Sequence, residues 1–298
     1  MGGCQHYLFI AQNGYDSVYR TAWFPLYPVL IKLLGGTAAS AVFLSGASFF
    51  LALLAARRLG GRPSMWALAL WPLGVLSVSV YSESLFLALT GWALVFLREG
   101  KKPRAAALLG LACLCRPVGW ALLAGVGLEL ARRQGWKPAL AVCVPAALIG
   151  FLYPLCLWVR FGDPLAFTAF NIERQKRWFG LPLVGLTGDV ERLISPPGDF
   201  PWEEWRLPIL VNLPGFLYLA AVLTARPLLS LPYVLLVLST GVHGPHLPYV
   251  HGFLRYGAGF FPWCLAVRDG VAGRAFTVFG ALMGAAVSVC LFFKEFFI

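Results

Sequence analysis

From Thr37 onward the chain is a succession of apolar runs parted by short clusters of Arg, Lys, Gly and Pro. One crossing of a hydrocarbon core about 30 Å thick takes roughly 20 residues of helix. The runs fall at Thr37–Ala56, Ser64–Val80, Ser84–Leu97, Arg104–Cys115, Pro117–Ala131, Pro138–Val159, Leu207–Ala225, Leu228–Val242, Gly257–Val267 and Arg274–Phe293. Several are shorter than a full crossing, and such segments persist only where protein or a water-filled cavity satisfies their ends. The pattern therefore predicts an all-α fold, a polytopic transmembrane helical bundle of about 9–10 membrane segments with short or broken helices. Residues 1–298 read as a single integral membrane domain, with 1–36 as a first outer loop and re-entrant segment and 160–206 as a long outer loop carrying an interfacial helix.

Composition agrees with this reading. Of the 298 residues 59% are hydrophobic and 12% charged, with a mean hydropathy of +0.74; an average soluble domain is about 45–50% apolar and about 25% charged. The net charge of +11 sits in short connections between apolar runs, where it sets orientation rather than binding nucleic acid. The seven cysteines show no CxxC spacing and read as small packing residues, not as a disulfide framework or zinc site. Met1-Gly2-Gly3-Cys4 lacks a charged region ahead of an apolar run, so no signal peptide is expected, and His6 stands where a myristoylation signal wants Ser or Thr.

Charge also predicts sidedness. Arg57, Arg58 and Arg62 lie in one connection, Arg98, Lys101, Lys102 and Arg104 in the next but one, followed by Arg132, Arg133 and Lys137, then Arg226, then Arg268 and Arg274. Basic connections face the cytoplasm. The N-terminal loop, the Tyr81-Ser82-Glu83-Ser84 turn, Arg116 and the 160–206 and 243–255 segments are then expected together on the opposite face.

Several of these groups carry chemistry. Glu83 and Arg116 lie near membrane depth, where an ionised side chain costs roughly 2.5–3.5 kcal/mol on insertion scales and faces a partner or a cavity; they read either as an ion pair between helices or as a polar pocket in which Arg116 offers its planar fork to a phosphate. Phe167, Phe170 and Trp178 interleave with Glu173, Arg174, Lys176 and Arg177, a pattern suited to an interfacial helix that attracts anionic head groups. His243, His246 and His251 share one connection, but their spacing and Pro245 and Pro248 do not suit a zinc helix. No metal site is expected there, and His251 and Arg255 read as hydrogen-bonding partners for a sugar or phosphate. GxGxxG, GxxxxGK[ST] and GxSxG are absent from the sequence, which argues against nucleotide-loop and esterase chemistry.

His6-Tyr7-Leu8-Phe9-Ile10-Ala11, Gly14-Tyr15, Ala22-Trp23-Phe24-Pro25-Leu26-Tyr27-Pro28, Tyr81-Ser82-Glu83-Ser84-Leu85-Phe86, Arg116-Pro117-Val118-Gly119 and Gly162-Asp163-Pro164-Leu165-Ala166-Phe167, with Trp178, His251, Arg255 and Pro262, together resemble the PIG-V family of mannosyltransferases. The resemblance implies a GT-C-like, multi-pass enzyme of a prokaryotic plasma membrane or the endoplasmic reticulum membrane. It would move mannose or a similar sugar from a polyprenyl-phosphate sugar to a lipid or glycan acceptor at the outer or luminal face, with inversion. Membrane lipid, donor and acceptor are the implied partners, with no nucleic acid and no cofactor beyond the lipid-linked sugar phosphate as co-substrate.

The family also implies a preceding helix and a Trp-Asp pair shortly before the histidine, whose carboxylate deprotonates the acceptor hydroxyl. Here the matching stretch is Gly2-Gly3-Cys4-Gln5, so the chain reads as starting one helix late, through a mis-called start, a truncated gene or a shortened homologue. Asp16 is the remaining carboxylate of this loop and the candidate base, with Glu83 orienting an arginine or binding sugar hydroxyls. The resemblance assigns substrate contacts to His6, Tyr7, Arg116, Trp178, His251 and Arg255, and Arg174 or Arg177 join Arg116 and Arg255 as candidates for stabilising the departing phosphate. The alternative is a non-catalytic polyprenyl-lipid-binding protein, a flippase or a truncated pseudoenzyme.

Overall fold

A computed structural model describes residues 3–71, 79–175, 177–183, 187, 190, 191, 194, 215–243, 248, 249 and 260–297. The fold is all-α. Its helices are α1 (Gly3–Asn13), α2 (Leu26–Leu33), α3 (Ala38–Ala69), α4 (Glu83–Arg98), α5 (Lys102–Cys115), α6 (Gly119–Gln134), α7 (Trp136–Phe161), α8 (Gly215–Ala225), α9 (Pro227–Leu238) and α10 (Val271–Phe297). Short 3-10 turns at Val18–Ala22, Ala166–Thr168 and Phe261–Ala266 and a π-helical turn at Phe170–Arg174 connect them.

By length and composition α3 and α7 are apolar enough to cross a membrane. Their outer faces say the same. Along α7, Leu140, Val144, Leu148, Leu152 and Leu155 are all about half exposed or more, a stripe at helical spacing that water would penalise and hydrocarbon would not. α4 behaves oppositely: nearly every residue from Glu83 to Val95 is buried, as expected of a helix enclosed by α3 and α5 with the Phe261–Ala266 turn against it. α7 covers α5 and α6, and α9 lies on α6. That last approach is close enough that a Cβ on Gly125 would lie 1.9 Å from the Leu229 carbonyl oxygen, so only glycine fits there.

The break expected between Ala56 and Ser64 is present as a kink inside α3. Gly61 takes φ 76°, ψ −162°, a conformation open to glycine, and Pro63 follows. Three expectations are corrected. The Gly257–Val267 run holds a six-residue 3-10 turn in its described part, with Pro262 in its first turn; Phe260, Phe261, Trp263 and Cys264 are buried, so it plugs the core instead of spanning. The Leu228–Val242 run ends as a helix at Leu238 and continues as a strand. Within the described part of 160–206 the expected interfacial helix is two short helical turns up to Arg174, followed by an extended piece at 177–179, with residues 187, 190, 191 and 194 helical.

That extended piece is β1 (Arg177–Phe179), which pairs antiparallel with β2 (Thr240–His243), itself paired antiparallel with β3 (Pro248–Tyr249). Trp178 faces Gly241 in the register, and His243 faces Pro248. Trp178 thus sits on a strand whose hydrogen bonds come from a segment some sixty positions away, a partner that local periodicity cannot reveal.

Candidate functional site

The site forms where helix ends meet. Ser82 caps the N-terminus of α4, Glu83 is its first residue, and Arg116 caps the C-terminus of α5. A carboxylate in a first turn and a cation at a last turn both oppose the local helix dipole favourably. Pro117 prevents α5 from continuing, and Gly119 lets α6 begin at once, since a Cβ there would lie 2.5 Å from the Ala112 carbonyl oxygen. The turn folds Arg116 back so that its Nη1 donates to Glu83 Oε1 at 2.8 Å. Glu83 has 0% of its side chain exposed and Arg116 15%.

The N-terminal segment docks onto this pair through aromatic side chains. Tyr7 and Ser82 share a hydrogen bond of 2.9 Å between hydroxyls, and the Cys115 thiol points to the Ser82 carbonyl at 3.6 Å. The Tyr7 and Tyr27 rings meet edge to face at 5.0 Å. Tyr27 donates to the Ala41 carbonyl at 3.1 Å and lies 2.6 Å from Ser45 Oγ, while Ser45 donates to the Tyr81 carbonyl at 3.3 Å. Buried hydroxyls are thereby matched with partners, which removes most of the cost of placing them in the core. The Ser84 hydroxyl is buried with no hydrogen-bond partner among the described residues.

His6, one position from Tyr7, turns to the other side and stacks on Trp23 at 3.9 Å, with Phe170 against the indole at 4.8 Å. Burial, then the Arg20 charge, lowers the His6 pKa below its ordinary value, so the ring is neutral near pH 7. Asp16 is half exposed and forms an i,i+4 ion pair with Arg20, whose guanidinium also covers the Phe9 ring at 3.5 Å. That hydrogen bond holds the Asp16 carboxyl below the usual carboxylate range, which keeps it ionised and makes it a weaker base.

Three positions singled out in the sequence therefore gather here, Tyr7, Glu83 and Arg116, while the neighbouring His6 faces Trp23. Asp16 is paired with Arg20, beside Phe9. Trp178 is placed only as a register position on β1, and His251 and Arg255 lie outside the described residues. Among the described residues no group of His, Cys, Asp or Glu is assembled for a metal ion. Sequence reasoning missed the network that carries the pair, above all Ser82, Ser45 and Tyr27, and it missed Tyr19, whose hydroxyl donates to Glu173 Oε2 at 2.7 Å. Two further motifs have structural explanations: Gly162 closes α7 in the left-handed region at φ 73°, and Asp163 Oδ1 accepts from the Leu165 amide at 2.8 Å, fixing the turn that leads to Phe170.

A bundle of apolar helices, two of them long enough to cross a membrane, with an ion pair buried where helix ends meet is the build of an integral membrane protein. Comparison with known proteins makes this more particular. The chain is similar to GPI alpha-1,6-mannosyltransferase 2 of Homo sapiens, 28% identical over an alignment of 240 residues that covers 70% of this chain and 48% of that one. The same protein of Cricetulus griseus is 29% identical over 240 residues and that of Mus musculus 26% over 246, with the same shares of the two chains. The chain spans about half the length of the curated relatives it matches. No family model and no solved structure matches it. The resemblance to the PIG-V mannosyltransferases is thus borne out by relatives that align over most of this chain.

Proposed function

We propose that this protein is a membrane mannosyltransferase that takes the sugar from a polyprenyl-phosphate donor and passes it, with inversion, to a hydroxyl of a lipid or glycan acceptor on the outer or luminal face of its membrane. The observation that carries the reading is the Arg116–Glu83 pair where the first turn of α4 meets the C-terminal end of α5, beside Tyr7 and Tyr27, in a chain similar to GPI alpha-1,6-mannosyltransferase 2. Transfer requires a base to draw the acceptor proton while the hydroxyl attacks the anomeric carbon and the lipid phosphate leaves. Arg116 carries five N–H donors in a planar fork, and the contact with Glu83 engages Nη1. Glu83 fixes the fork, and its remaining edge is directed to the departing phosphate. His6 and Trp23 offer stacked faces for the sugar. Trp178, on the strand that pairs with Thr240–His243, is assigned to the donor, and His251 and Arg255 are assigned to it by the family resemblance alone. Asp16 is the carboxylate of the N-terminal segment assigned as base, and Arg20 must yield it before it takes a proton.

The decisive experiment is transfer of radiolabelled mannose from polyprenyl-phosphate mannose by purified protein. Wild type is expected to transfer, and Arg116→Lys, which keeps the charge beside Glu83 but loses the planar fork, is expected to lower the rate about a hundredfold. An Arg116→Lys protein as fast as wild type overturns the assignment. The Asp16–Arg20 pair favours one second reading, a protein that binds the lipid-linked sugar without transferring it. Donor binding by a wild type that shows no transfer selects that reading.

A further inference from the structure

The opposite end of the bundle holds a cavity that the proposed transfer reaction does not use. It has a volume of about 220 Å³ and lies in the cleft between the last turns of α4 and α6 and the first turn of α9. Fifteen positions along α4 separate it from Glu83, about 22 Å at the helical rise. Arg98, Arg133 and Arg226 line it, against the single carboxylate of Glu129. Glu129 Oε1 receives Arg226 at 2.6 Å and Arg133 at 3.0 Å, so one acceptor is divided between two forks. Among the described residues Arg98 donates to neutral groups, the carbonyls of Arg58 at 3.3 Å and Leu59 at 3.1 Å, which end the first half of the kinked α3.

Two positive charges are therefore in excess at this cleft. The carbonyl ends of α4 and α6 oppose an anion by about half a charge each, and the amide end of α9 offsets one of them, so the arginines prevail. The floor is apolar, formed by Leu94, Leu97, Val126 and Leu229. A cationic rim over an apolar floor between membrane helices matches a phosphate carried on acyl chains better than a free anion, whose remaining surface would have to stay in water. We propose that this cleft binds the phosphate of an anionic glycerophospholipid, with Arg133 and Arg226 turning from Glu129 to share it. Arg98 stays anchored on α3 and supplies the fixed charge, so an occupied cleft clamps α3, α4, α6 and α9 together.

The test is binding of dihexanoyl-phosphatidylglycerol to the full chain in nonionic detergent, followed by native mass spectrometry and by thermal shift, with dihexanoyl-phosphatidylcholine and inorganic phosphate as the other arms. Phosphatidylglycerol is expected to bind at least about tenfold more tightly than either, and Arg133→Gln and Arg226→Gln each to weaken it about tenfold. Glu129→Gln keeps every guanidinium and removes the competing carboxylate, so it is expected to tighten binding. Equal retention of phosphatidylglycerol and phosphatidylcholine overturns the proposal, as does unchanged or weaker binding by Glu129→Gln. Inorganic phosphate binding as tightly as phosphatidylglycerol also overturns it, by showing that the cleft takes a soluble anion. None of these readouts depends on sugar transfer.

Discussion

At the first turn of α4 a carboxylate with no exposed surface meets one guanidinium; beyond its last turn, across on α6, a carboxylate is shared by two guanidiniums that reach solvent. Glu83 and Arg116 are 0% and 15% exposed, whereas Arg226 and Arg133 are 29% and 65% exposed around Glu129 at 11%. The same chemistry is thus set in two dielectrics. Where water cannot reach, loss of one partner strands a charge, and the geometry is held by Tyr7, Ser82 and Cys115 around it. Where water can reach, each arginine can leave its partner at little cost, which suits a surface that exchanges ligands. The buried pair fixes a shape, and the open one keeps its charge available.

The strongest way to break this contrast is Glu83→Gln. It leaves Arg116 buried and unpaired, and is expected to destabilise the protein by about 3–5 kcal/mol, read as a large fall in melting temperature in detergent. A loss no greater than that of a surface substitution would show that water reaches the pair. Glu129→Gln, the matching change at the other end, is expected to cost about 1 kcal/mol or less, because both arginines retain hydration. Equal losses in the two variants would erase the distinction between the ends.

The smallest effect sharpens the N-terminal side of the comparison. The native state favours neutral His6, chiefly through burial against Trp23, so the folded pKa lies below the unfolded one. Its penalty is absent above the unfolded value, near pH 6.5, and grows as pH falls from there through the folded pKa. Melting temperatures of wild type and His6→Gln are expected to diverge on acidification, wild type losing more. Parallel curves would mean that the imidazole is fully hydrated.

The elements most legible in the sequence are those whose signal is local. The apolar runs of α4, α5, α6 and α7, and the break in α3 at Gly61 and Pro63, follow from hydropathy, the freedom of a glycine and the restriction of a proline. The ion pair of Glu83 and Arg116 was foreseeable because each is an ionisable group in an apolar surrounding, where a partner is obligatory. Trp178 was not placed correctly. Its amphipathic neighbourhood suits an interfacial helix, and only a strand contributed from residues 240–243 makes the extended form preferable. The Ser45, Tyr27 and Ser82 network gave no signal beyond the motifs that contain those residues, since a lone hydroxyl in an apolar run has no periodicity to betray its partner.

The sequence alone determined that the chain builds a helical bundle, that α5 stops ahead of Pro117, and that basic residues fall in the short connections between apolar runs. Those properties depend on hydrophobic period, backbone restriction and charge, each a property of neighbouring residues. Tertiary structure decided which ends meet: that Tyr7 reaches Ser82, that Arg116 folds back on Glu83, and that Arg98, Arg133 and Arg226 enclose one cleft. The physical reason is that helix packing fixes side chains far apart in sequence at distances of a few ångströms, and hydrogen bonds and ion pairs discriminate at that scale.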